Sequence, residues 1–218
     1  MNESDQFELN EPALICRWRM AGRHIPMLNR HIRALSQRAV GEGPLGRNLL
    51  SWVKQHIEWS LAEDASVDPD GVLMVVVDVD GRAAMSVGAY EPLADRSPEA
   101  LAARAADARR EADATGVAPE TLCLLRSGEL VIGASDEGFL CGTMTFVEQL
   151  ARTRGLAVRF DPEIAGVAEP SDEVLLISDE HGVVAASDEG ASDKDRELAA
   201  FFSEAYETLR RRAADARA

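Results

Sequence analysis

The segment CGTMTFVEQLARTRGLAVRF, residues 141–160, holds the residue types best placed to do chemistry. Gly142 and Thr143 open a run in which Phe146, Val147, Leu150 and Ala151 recur at helical spacing until Gly155. The first amides of a helix have no acceptor within it, so this start either holds an anion or is an ordinary capped helix end. Amine chemistry has only two candidates, Lys54 and Lys194. The histidines His24, His31, His56 and His181 are scattered and read as surface or capping residues. Cys16, Cys123 and Cys141 are odd in number and show no CxxC spacing, which supports neither a disulfide framework nor a thiolate zinc site. Hydrolase chemistry finds little support, because no GxSxG elbow and no HExxH helix occurs. The DVDG at residues 78–81 lacks the further oxygen ligands and the spaced glutamate of a calcium loop, and reads as a hairpin turn.

These residues sit in a chain of 218 with 46% hydrophobic and 28% charged residues, an ordinary globular composition. A chain of this length buries roughly 70% of its unfolded surface on folding. The net charge is -15, with 23 Lys and Arg against 38 Asp and Glu. That field disfavours nucleic-acid backbones and anionic membrane surfaces, which are normally engaged through a basic patch. Local basic segments occur at residues 17–38 and 210–212. The N-terminus carries no charged-then-apolar signal pattern, and no apolar run approaches the length of a membrane span. A soluble, cytoplasmic protein without metal is the expectation.

The elements that must position the candidate residues follow from periodicity. A strand is expected at residues 14–19, closed by a turn at Ala21 and Gly22. Ile32, Leu35 and Ala39 predict an amphipathic helix from Asn29 to the glycine cluster at Gly41, and Leu49, Leu50, Val53, Ile57 and Leu61 a second over residues 45–63. A β-branched strand at 72–79 turns through Asp80 and Gly81 into 83–89. A link at 90–97 leads to a helix at 99–115 stopped by Gly116, then a hairpin turning at Gly128 and the helix and strand of residues 142–160. A polar loop at 161–172, strands at 173–177 and 183–186, an acidic loop at 188–195 and a helix at 195–214 complete the chain.

Five segments in this order carry a resemblance. Gly22 followed by HIRAL (31–35) looks like a glycine and an HLxRL opening. Residues 111–140 are similar to a pattern EA…G..E.L.L…G.V.EG..SNVF, and residues 141–158 resemble PGITR..V.ELA…GI.V. SDEVLLISDEHGVV (171–184) looks like ADEVFLTGTAAGV, and FFSEAYETLRRR (201–212) is similar to a closing helix. Together they resemble the fold-type IV pyridoxal-phosphate (PLP) enzymes: branched-chain and D-amino-acid aminotransferases and aminodeoxychorismate lyase. The resemblance implies an α+β, two-domain, class IV aminotransferase-like fold, shortened at the N-terminus. It implies a smaller domain at 1–90, a larger one at 91–218, and a homodimer.

It also implies where the chemistry would lie. A Schiff-base lysine is expected near Ser97 and Pro98, where none occurs; the acid that protonates the pyridine nitrogen falls on Ile132, and the phosphate arginine falls on Ala34 beside Arg33. Arg33, Gly142, Thr143 and Ser178 then form a vestigial phosphate site. Asp179 lies in the second phosphate turn, where a carboxylate 4 Å from a phosphate charge repels it by about 4 kcal/mol. Two readings result. In the first, PLP catalysis is lost, no cofactor is held, and the chain is a binding or structural homologue with a possible small-molecule ligand in the interdomain cleft. In the second, an active PLP-dependent aminotransferase or lyase uses Lys54 or Lys194 displaced into the pocket.

Overall fold

The computed structural model describes residues 8–41, 43–61, 63–64, 66–164, 169–187 and 190–215. Residues 188 and 189 of the expected acidic loop and 165–168 of the expected polar loop lie outside them. In the first part of the chain Leu14, Cys16 and Trp18 alternate inward along β1 (Pro12–Arg19). That strand pairs antiparallel with β4 (Val72–Asp78), which pairs antiparallel with β5 (Ala83–Gly88), giving a sheet of order β1-β4-β5. The β4–β5 turn is held by Asp78, whose carboxylate accepts from the amides of Asp80 and Arg82 at 3.0 and 2.9 Å; the DVDG segment is a turn.

Helix α1 (Leu28–Leu35) and helix α2 (Arg47–Gln55), continued as a π-helical segment His56–Leu61, pack on this sheet through Leu35, Val53, Ile57 and Leu61. Helix α1 stops short of the expected end. The Ser36 hydroxyl bonds back to the Arg33 carbonyl, and Ala39 belongs instead to the two-residue ladder β2 (Ala39–Val40) with β3 (Gly43–Pro44). The break turns Arg38 into the interior, where it is 4% exposed.

The second sheet has the order β10-β9-β6-β7-β8. Ser97 caps α3 (Pro98–Thr115) by accepting the Ala100 amide, and Gly116, at φ 77°, ends it. Strands β6 (Glu120–Arg126) and β7 (Glu129–Ile132) form a hairpin through Ser127 and Gly128, both at positive φ as a tight primed turn requires. Strand β7 connects through α4 (Gly142–Thr153) to the parallel β8 (Ala157–Phe160); β9 (Glu173–Ser178) and β10 (Gly182–Ala185) form an antiparallel pair on the other side of β6. The apolar run Leu122 to Leu125 is buried on both faces. Leu122 and Leu124 meet Leu101 and Ala105 of α3, whereas Cys123 and Leu125 join Met144 and Val147 of α4 and Phe202 of α5 (Asp193–Asp215). A run without alternation is what a strand covered on both faces needs.

The end of the expected acidic loop is part of α5. Asp195 is 2% exposed and accepts from the amides of Ser127 and Gly128 at 3.1 and 2.9 Å, closing the β6–β7 turn.

Candidate functional site

Four elements converge where the two sheets meet. Helix α1 turns His31 and Ala34 inward, β1 supplies Cys16 and Trp18, α4 begins with Cys141, Gly142 and Thr143, and β9 delivers Asp179 just past its end. Gly142 permits the approach of α1 to α4: a Cβ there would lie 2.5 Å from His31 Nδ1. The His31 ring in turn stacks on Trp18, with centroids 5.5 Å apart.

Asp179 occupies the amide end of α4. Its Oδ1 accepts from the Thr143 amide at 2.7 Å and its Oδ2 from the Gly142 amide at 3.3 Å. His31 Nδ1 lies 3.1 Å from Oδ2. Burial by itself would raise the Asp179 carboxyl; the adjacent His31 imidazole and the Thr143 donors outweigh it and hold the group at about 2. Thr143 Oγ1 is fully buried beside the same carboxylate, without a well-formed hydrogen bond.

What remains open is a void of about 10 Å³ lined by Cys16, Trp18, His31, Arg38, Cys141 and Asp179. This is about the room one water takes, whereas ligand sites usually measure about 300–1,000 Å³. Arg38 enters the void one helical turn beyond Ala34 and binds Glu111 Oε1 at 2.9 Å, so its charge is already engaged. Burial pushes the Cys16 thiol up to about 11 and raises Cys141 well above the ordinary range, which leaves neither as a thiolate nucleophile.

The sequence candidates distribute as follows. Gly142 and Thr143 are at the junction, but their amides are taken by Asp179. The Ser178 hydroxyl accepts the His181 amide at 2.8 Å and shapes the β9–β10 turn. Arg33 is exposed and does not line the void; Ala34 beside it does. Ile132 is fully buried in the core. Lys54 pairs with Glu58 at 3.6 Å on α2. Lys194 lies against Gly128, at the end of β6 opposite to Glu120, which pairs with Ser178. The seven-residue strand between them spans about 20 Å. The residues at this junction therefore do not fit PLP: no lysine lines the void, a carboxylate covers the amides that the resemblance assigns to a phosphate, and the space is closed. Among the described residues no group of three or more His, Cys, Asp or Glu is placed to hold a metal ion.

More open cavities lie outside the junction. One of about 210 Å³ is bordered by Arg17, Arg104, Glu111, Glu120 and Glu180. Close to it the half-buried His181 lies 3.3 Å from Arg104, and desolvation followed by the Arg104, Arg19 and Arg17 charges pushes it down to about 4. A groove of about 710 Å³ runs between residues 90–96, β10 and α5, lined by Tyr90, Leu93, Arg96, Val184, Arg196 and Ser203 among others.

The architecture is that of the class IV aminotransferases, a fold-type IV, α+β arrangement, and comparison with solved structures shows it along nearly the whole chain. A hypothetical aminotransferase from Mycobacterium tuberculosis in its PLP-bound form matches with a TM-score of 0.57 at 12% identity, covering 95% of this chain and 96% of its own. The form with α-ketoglutarate and PMP bound matches with 0.53, again at 12% identity, covering 94% and 95%. A fold IV-transaminase from Curtobacterium pusillum matches with 0.51 at 12% identity, covering 97% and 90%. No family model matches the chain, and no curated protein sequence is significantly similar.

Sequence reasoning missed the engagement of His31 and Arg38, and took His31 for a surface or capping residue when it is buried, and His181 when it is half-buried with an enclosed side chain. The one available signal was Asp179 itself, an acid in a turn that the resemblance reserves for phosphate.

Proposed function

We propose that this chain is a class IV aminotransferase-like protein that has lost PLP Schiff-base catalysis and acts as a binding or structural homologue. The observation that carries the reading is the position of its two lysines: neither lines the junction where α4 begins, and one sits at the far end of β6. Schiff-base chemistry demands an amine at the cofactor, and no other side chain supplies one. The closed void supports the same conclusion. A small-molecule role then falls to the open groove beside α5 rather than to the cleft at Asp179. The functional reading includes a division into domains near residue 90, with one core among residues 14–77 and two among residues 101–206 as its support. It also includes a homodimer in the cytoplasm. Trp52 and Trp59, two of the three tryptophans, lie exposed on α2 and its π-helical continuation, the kind of aromatic surface that protein interfaces favour.

The test is to mix the purified protein with PLP, reduce with borohydride and map the modified peptide by mass spectrometry. Scattered surface labelling without aldimine absorbance is expected. A stoichiometric adduct on Lys54 or Lys194 would sink the proposal and name the catalytic lysine.

A further inference from the structure

We propose that Asp179 is an internal anion standing where a bound phosphate would sit, and that it latches the two sheets together without a cofactor. The inference rests on the reading that this chain holds no PLP, and adds what replaced it. The Gly142 and Thr143 amides of helix α4 find no acceptor in its own first turn. Its N-cap residue, Cys141, makes no side-chain cap bond, and its first turn has no acidic residue. Unpaired buried amides are costly, and an anion at a helix N-terminus is favoured by both their hydrogen bonds and the helix dipole. The anion comes from Asp179, 36 positions further along the chain from Thr143.

One residue reaches every element of the junction. The Asp179 carboxylate takes two amides of α4 and faces His31 of α1, while its carbonyl oxygen accepts the Arg19 amide of β1 at 3.0 Å. Asp179 follows the last residue of β9, Ser178, so the second sheet is joined through it to both α1 and β1. The fully buried Thr143 hydroxyl faces the same carboxylate without a well-formed hydrogen bond, which leaves a donor that a further anion oxygen would meet. A phosphate has more oxygens than a carboxylate and would meet this hydroxyl as well. The latch is therefore a two-oxygen occupant of a site suited to a larger anion, and removing it exposes that site.

The experiment compares thermal unfolding of the wild type and Asp179→Ala in inorganic phosphate and in chloride of equal ionic strength. Phosphate raises the melting point of the wild type only by the general salt effect that both proteins share. Asp179→Ala melts lower in chloride and recovers in phosphate; at free phosphate ten times its Kd the unfolded population falls about tenfold. A variant as stable as the wild type, or the same phosphate shift in both proteins, overturns the latch. Should Asp179→Ala not fold in chloride, it is refolded from denaturant in each salt. Recovery in phosphate alone supports the latch, and equal failure in both overturns it. A lysine adduct in the PLP experiment would instead remove the functional reading, and the two failures are thus told apart.

Discussion

Asp179 concentrates the residue-scale physics. Its folded value of about 2 against the ordinary 3.8 means that the carboxylate contributes stability that is complete above about 3.8 and is lost as pH falls through about 2. The size of that contribution is about 2 kcal/mol. Urea unfolding of the wild type and Asp179→Asn at pH 5 and pH 2 checks it: the wild type should lose about 2 kcal/mol more than the variant on acidification. Equal losses would place the titrating group elsewhere. Arg38 shows the complementary effect. Ala34 lacks the charge that the HLxRL pattern carries, and four residues later the buried Arg38 guanidinium is held by Glu111.

At the scale of elements, two carboxylates distant in sequence hold backbone amides that local sequence leaves open. Asp179 does so for α4, and Asp195 for the β6–β7 turn, with support from the Ser192 hydroxyl at 2.7 Å. Asp195→Ala should destabilise the protein by about 1–3 kcal/mol, the range for buried donors left unpaired, as measured by chemical denaturation. Loss of protection at the Ser127 and Gly128 amides in hydrogen exchange would localise the effect. An unchanged midpoint would mean that the turn's positive-φ geometry is sufficient by itself.

For the whole molecule, the charge of -15 and the exposed Trp52 and Trp59 pull in opposite directions: like-charged copies repel, while aromatic surface favours association. Sedimentation at physiological salt should give twice the chain mass, with Trp59→Glu shifting the protein to single chains. A wild type at one chain mass would overturn the dimer, and a dimeric Trp59→Glu would move its interface to another face. Screening of the repulsion predicts tighter association as salt rises.

Periodicity and turn chemistry in the sequence were enough to determine most of the element order, though not the β2–β3 ladder, because most elements are written in neighbouring residues. The β6–β7 hairpin is legible from its apolar runs and Gly128, α3 from its alanine-rich composition and Gly116, and β4–β5 from Asp80 and Gly81. Five such segments in order were enough to suggest the fold. Only the tertiary structure decided what the helix start at Gly142 does. Its partner Asp179 arrives from another strand, and the closure of the void depends on Arg38 turning inward where α1 breaks early. Long-range side-chain contacts leave no periodic trace, so an acid that plugs a site and an acid on a solvated loop look the same until the chain is folded.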